Sequence, residues 1–182
     1  DFVIEFLKEY SPKGVTLMGH SFGGRVIIKL CSRDLPFEVE KTILVDAAGV
    51  KPKKSLKQKI KEKIYKLTKW IFSLAIVMKL FPDALENLRK RNGSADYNAA
   101  SPIMRQTLVK VVNEDLTHIF PKVTPSTLLI WGENDTATPL YMAKKLEKII
   151  PDCGLCVIKG TGHWSFVERP AEAPAILRSF FP

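Results

Sequence analysis

Ser21 sits in Gly19-His20-Ser21-Phe22-Gly23, after the apolar run 15–18 and before Gly24-Arg25-Val26-Ile27-Ile28-Lys29-Leu30, a stretch with helical spacing. A Gly-x-Ser-x-Gly between a strand and a helix is the pattern of a nucleophile elbow. The serine rides a tight, strained turn, so glycines two residues away on each side let strand and helix approach. That turn lifts the hydroxyl clear of the sheet. It also aims the positive end of the next helix, and the Phe22 amide, at a developing oxyanion. The chemistry such a serine could run is acyl transfer, and it needs a base and an acid. Gly160-Thr161-Gly162-His163 follows the apolar run 155–158 and offers His163 as the base. Leu128-Leu129-Ile130-Trp131-Gly132-Glu133-Asn134-Asp135 is a strand-like run ending on an acid, with Pro139 opening the next helix. Each candidate stands just after a strand, in the order Ser, Asp, His. The pentapeptide alone is weak; three segments in this order carry weight.

GHSFGG at 19–24, WGENDTATP at 131–139 and GHWSFVERP at 162–170 together resemble the α/β-hydrolases of the serine esterase type. The resemblance covers the whole chain as the later two-thirds of such a fold. It implies Ser21 as nucleophile, His163 as general base and Asp135 as the residue that orients and stabilises the imidazolium, with the Phe22 amide as an oxyanion donor. The expected reaction is cleavage of an ester-like bond of a small molecule through an acyl-enzyme. A serine at the elbow, not an aspartate, argues against the dehalogenase and epoxide-hydrolase branches. Family members carry strands before the nucleophile strand and a His-Gly-type loop that supplies a second oxyanion donor. Residues 1–18 hold no such motif, so the chain is expected to be N-terminally truncated, its first strand an exposed edge, and the piece alone a poor esterase.

The elements that must position these residues follow from periodicity. Helices are expected at 1–10, 22–33, 139–150 and 170–181, and strands at 15–18, 42–48, 126–131 and 155–159. Continuous apolar strands alternating with helices imply an α/β fold, a parallel sheet covered on both faces. Residues 1–50 and 123–182 form the expected catalytic core, and 51–122 a helical cap insertion. Leu56, Ile60, Ile64, Leu67, Ile71 and Leu74 step by three and four, one face of a helix. Asp46 also ends a strand and competes with Asp135 for the acid, although its run to Ala47-Ala48-Gly49 suggests a strand continuing onward. His20 and His118 are expected to be structural, and Glu168 to charge or cap the amino end of the last helix, whose first turn holds Pro170.

Residues 51–92 hold 13 Lys or Arg against Glu62, Asp83 and Glu86, a net +10, while the rest of the chain is close to neutral. Such asymmetry marks a separate unit. Its lysines fit a solvated face opposite a packed stripe, or peripheral contact with an anionic membrane. Nucleic-acid binding lacks any accompanying recognition module. The run 67–81 is too short, and too charged at Lys69 and Lys79, to span a bilayer. Cys153-x-x-Cys156 invites a redox or zinc reading but has no second ligand pair, so packing is expected. With three cysteines, no secretory pattern and ordinary composition, a cytoplasmic protein needing no metal or cofactor is the expectation. Two other classes stay open: a hydrolase-fold protein that binds a ligand with little turnover, and a membrane-surface protein.

Overall fold

A computed structural model describes residues 1–10, 13–53, 55–93 and 95–181. They fall into two units, Asp1–Lys51 with Asp115–Pro182, and Pro52–Glu114.

The first unit is built on four parallel strands in the order β1 (Val15–His20), β2 (Val39–Val45), β3 (Ser126–Gly132) and β4 (Cys153–Ile158). β1 and β2 are joined through α2 (Phe22–Cys31), and β3 and β4 through α8 (Leu140–Ile149). Period-two alternation sends β2 and β3 side chains to two different cores. Leu44, Leu129 and Trp131 pack with Ile27 and Ile28 of α2, Met142 and Leu146 of α8, and Phe120 of a 3-10 turn at Thr117–Lys122. Ile43, Val45, Ile130 and Ile158 form the opposite layer, against Ile176, Leu177 and Phe180 of α10 (Glu172–Phe180). Both faces of the sheet are therefore covered. This is an α/β architecture, a parallel sheet between helical layers. The central strands are apolar on both sides for that reason. Leu116 and Phe120 are buried in the first core, so the end of the 51–122 stretch folds with the sheet.

β2 begins and ends three residues before the expected 42–48. It stops at Val45 because Asp46 takes a positive φ of 44°, which no strand continues through. α1 (Phe2–Tyr10) forms as its periodicity requires, yet none of its residues is buried.

The second unit is wholly helical: α3 (Leu56–Phe72), α4 (Ala75–Leu80), α5 (Ala84–Asn92), α6 (Ala95–Ala99) and α7 (Pro102–Asn113). α3 starts with a capping box in which Ser55 Oγ accepts from the Gln58 amide and Gln58 Oε1 accepts from the Ser55 amide. Ser101 caps α7 by accepting from the Met104 amide, with Pro102 as the first helical residue. Not one residue of these five helices is buried among those described. No helix among the described residues is long and apolar enough to cross a membrane.

Candidate active site

The carboxyl ends of the four strands deliver the candidate residues: Ser21 after β1, Asp46 after β2, Asp135 after β3 and His163 after β4. Ligand and reaction sites of parallel sheets gather at this edge.

Ser21 has φ 50° and ψ −109°, a backbone conformation a non-glycine residue rarely adopts. The turn is pinned to the end of β2, since the Ser21 amide donates to the Val45 carbonyl at 3.0 Å and the Ala48 amide donates to the Ser21 carbonyl at 2.9 Å. Glycine is required at the first of the two pentapeptide positions, but not at the second. A Cβ on Gly19 would stand 2.7 Å from the Gly23 carbonyl carbon, and one on Gly24 would overlap the Ala47 side chain, whereas one on Gly23 would meet nothing within 4 Å. The second close approach thus falls at the residue after the pentapeptide, where α2 crosses the end of β2. Gly24→Ala is expected to cost about 1–3 kcal/mol by overpacking. Gly23→Ala, inside a helix with open space, should add up to about 1 kcal/mol of stability. Urea unfolding of the two variants checks the ordering, and equal losses would show that the elbow needs both glycines.

Ser21 Oγ lies 3.0 Å from His163 Nε2, and His163 Nδ1 lies 2.8 Å from Asp135 Oδ2. The carboxylate accepts from Nδ1–H, which leaves Nε2 free to accept the serine proton. The structure thus joins Ser21, His163 and Asp135 in one hydrogen-bonded chain. The Asp135 side chain is fully buried. Burial alone pushes its carboxyl up; hydrogen bonds from His163 and Thr138, with the imidazole's charge, outweigh it and hold the group below the usual carboxylate range. Thr138 is central to this. Asp135 Oδ1 accepts the Ala137 and Thr138 amides at 2.8 and 2.9 Å, and Thr138 Oγ1 lies 2.6 Å from Oδ2. An acid that accepts from residues two and three positions on is an Asx-type turn, a signal present in Asp135-Thr136-Ala137-Thr138.

Asp46 does not touch His163 and is not the histidine's partner. Its Oδ1 accepts the Gly132 amide at 2.8 Å, and its Oδ2 accepts from Ser165 Oγ at 2.7 Å and the Ser165 amide at 3.2 Å. One buried carboxylate thereby ties the end of β3 to α9 (Ser165–Glu168), just after the histidine. Burial raises its proton affinity more than these hydrogen bonds lower it, and the charge of Asp135 raises it further. The two acids therefore act on stability with opposite signs. Asp135 contributes above the ordinary carboxylate range and loses that contribution as pH falls through its depressed value. Asp46 favours the fold when protonated and loses that contribution as pH rises through its elevated value.

Two residues treated as structural in the sequence hold the histidine backbone. His20 Nε2 donates to the His163 carbonyl at 2.7 Å, and its ring lies against His163 and Trp164 with centroids 4.9 and 4.4 Å apart. Glu168 does not cap the last helix. Its carboxylate accepts the amides of Gly162 at 2.8 Å and Trp164 at 3.3 Å, on either side of His163. α10 starts only at Glu172, so Glu168 lies in the short α9 and its side chain turns back to the histidine loop. His118 is exposed in the 3-10 turn.

Phe22 is the first residue of α2, so its amide lies in the turn whose N–H groups have no intrahelical acceptor. Cys153 and Cys156 are free thiols of β4, three residues apart and so on opposite faces. Burial, with the charges of Glu147 and Asp152, pushes the Cys153 thiol up to about 12, and burial pushes Cys31 up to about 11. Neither is a poised nucleophile. Among the described residues no three His, Cys, Asp or Glu side chains are grouped to hold a metal ion.

The family model described as "Alpha/beta hydrolase family" matches residues 1–175. Over 63 residues the chain is 30% identical to 2-hydroxy-6-oxononadienedioate/2-hydroxy-6-oxononatrienedioate hydrolase of a Pseudomonas species, covering 35% of this chain and 22% of that protein. It is 24% identical to the uncharacterised hydrolase YugF of Bacillus subtilis over 92% of this chain and 65% of YugF. Among solved structures, the esterase of Exiguobacterium antarcticum superposes with a TM-score of 0.66 at 22% identity, covering 98% of this chain and 70% of that one. The chain spans between 22% and 65% of the length of the curated relatives it matches.

Proposed function

Because the chain belongs to the alpha/beta hydrolase family, we propose that it works as a serine hydrolase, with Ser21, His163 and Asp135 as a Ser-His-Asp triad acting on an ester-like bond of a small molecule. The observation that carries this reading is the unbroken run from Ser21 Oγ through the His163 ring to Asp135. His163 Nε2 takes the Ser21 proton as Oγ attacks the substrate carbonyl. The imidazolium then gives that proton to the leaving oxygen, and an acyl-serine remains. Water enters, His163 removes its proton, and collapse of the second tetrahedral species breaks the bond to Oγ, releasing the acid as the imidazolium returns the proton to Ser21. Asp135 keeps the reactive tautomer and balances the imidazolium charge. The Phe22 amide, at the positive end of α2, faces the developing oxyanion. Neither step calls for a metal or an organic cofactor.

The triad sets the reaction type, not the substrate. Names among the relatives already differ, an esterase in one case and a dienedioate hydrolase in another. In this reading residues 52–114, the helical unit between β2 and β3, act as the cap that selects acyl and leaving groups.

A fluorophosphonate probe tests the assignment directly, because it reacts only with an activated serine. Incubation with the folded chain and peptide mapping should place one phosphonyl group on Ser21, and heating the protein first should abolish the reaction. A folded chain that stays unlabelled, or is labelled at another serine, overturns the triad.

A further inference from the structure

Helix α3 carries an apolar face bordered by lysines. At 100° per residue, Leu56, Ile60, Ile64, Leu67 and Ile71 occupy an arc of about 80°. Lys57 borders the arc on one side, and Lys59 and Lys63 on the other, while Lys61 lies toward the cleft behind and Lys66 pairs with Glu62 at 2.9 Å. The opposite face, with Gln58, Glu62, Tyr65 and Lys69, lines a cleft of about 610 Å³ shared with Arg89 of α5 and Val112 of α7. The helix thus meets the rest of its unit with its polar back. Within that unit its apolar stripe is uncovered: Leu56 is 78% exposed, and Ile60, Ile64 and Leu67 are 58–59% exposed. Trp70 beside the stripe is exposed as well, and so are Ile76, Leu80 and Phe81 around α4.

We propose that this face of α3 docks on an anionic membrane surface, with the stripe buried at the headgroup–acyl boundary and the flanking lysines on acidic lipid headgroups. Charge complementarity selects that occupant. Residues 51–92 carry a net +10, while the rest of the chain is almost neutral. A second copy would bring the same lysines against each other. Aliphatic stripe, aromatic flank and lysines on both borders are the layout of a helix lying in the bilayer interface, where lysine stems lie along apolar surface and the ammonium groups reach the headgroups. No helix among the described residues is long and apolar enough to span the bilayer, so the contact is peripheral.

Co-sedimentation of the chain with phosphatidylcholine–phosphatidylserine vesicles, against phosphatidylcholine alone, measures the contact. Binding is expected to the acidic vesicles only, and to weaken as salt is raised. Each lysine near such a surface contributes about 1 kcal/mol, so the pair Lys59→Gln and Lys63→Gln should weaken partition about 25-fold. Ile64→Asp, at an exposed position, should weaken it more than about tenfold with unchanged circular dichroism. Trp70 fluorescence should be quenched by bromo-lipids in wild type and not in Trp70→Phe. Equal binding to neutral vesicles, or none to either, overturns the proposal. So does a stable dimer that Ile64→Asp dissociates, or binding to a DNA duplex as tight as to vesicles and indifferent to Ile64→Asp. Ser21 labelling by the fluorophosphonate is read separately, so failure of the docking surface leaves the triad standing, and the converse holds.

Discussion

Replacing Ser21 by alanine is expected to lower kcat for a short-chain aryl ester by roughly 10,000- to 1,000,000-fold, because a member of a unit that acts together is lost whole. The residual rate would come from binding and oxyanion stabilisation. The fold should survive. Among the described residues Ser21 Oγ bonds His163, whereas the turn is held by the Ser21 amide and carbonyl, which alanine keeps. Ser21→Gly should be equally inactive but more stable by about 1 kcal/mol, since it relieves the positive φ of 50°. An inactive enzyme that is more stable than wild type would identify strain held for function. Ester turnover and urea midpoints on the three proteins decide the matter. Ser21→Ala activity within tenfold of wild type would remove Ser21 from the mechanism.

The strand-to-helix order, the parallel sheet and the three residues in line were legible because each has a local signal. Strand runs such as Leu128–Trp131 are apolar on both faces, and the glycine-flanked serine marks a turn only a strained backbone makes. What was not legible depends on residues distant in sequence. Gly24 matters through Ala47, 23 positions on, and nothing in the pentapeptide separates it from Gly23. The end of β2 was misplaced because Ala47, Ala48 and Gly49 continue an apolar pattern, while the positive φ at Asp46 leaves no trace in composition. Asp46 itself looked like a second candidate acid. Only the register of β2 beside β3 shows its carboxylate facing the Gly132 amide. Glu168 sits five residues after His163, near enough to be read as part of the same loop, but its role depends on α9 turning it back. The exposed stripe of α3 had clear helical spacing. Periodicity says that a face is apolar, not what covers it.

Asp135→Asn is expected to lower kcat by roughly 10,000-fold with little change in KM, through the histidine's tautomer. In the native chain Nδ1–H donates to Oδ2, which places the lone pair of Nε2 toward Ser21 Oγ. Asparagine must also serve the amides of Ala137 and Thr138, so its oxygen stays at the Oδ1 position and its NH2 faces the imidazole. The ring then accepts at Nδ1 and carries its proton on Nε2, where it cannot take one from serine. Asp46→Asn is the contrast. It too removes a buried negative charge near the site, but that charge bonds Gly132 and Ser165 rather than His163. An asparagine there can accept from only one of its two partners, leaving buried donors unpaired at a cost of about 1–3 kcal/mol. Its kcat should stay within about tenfold of wild type, while its urea midpoint falls. Measuring both variants for turnover and stability separates an acid that sets the tautomer from one that holds strands together. If Asp46→Asn loses turnover 10,000-fold while folded and Asp135→Asn does not, the roles of the two carboxylates are reversed, and the hydrogen bond from His163 to Asp135 is not the one the reaction uses.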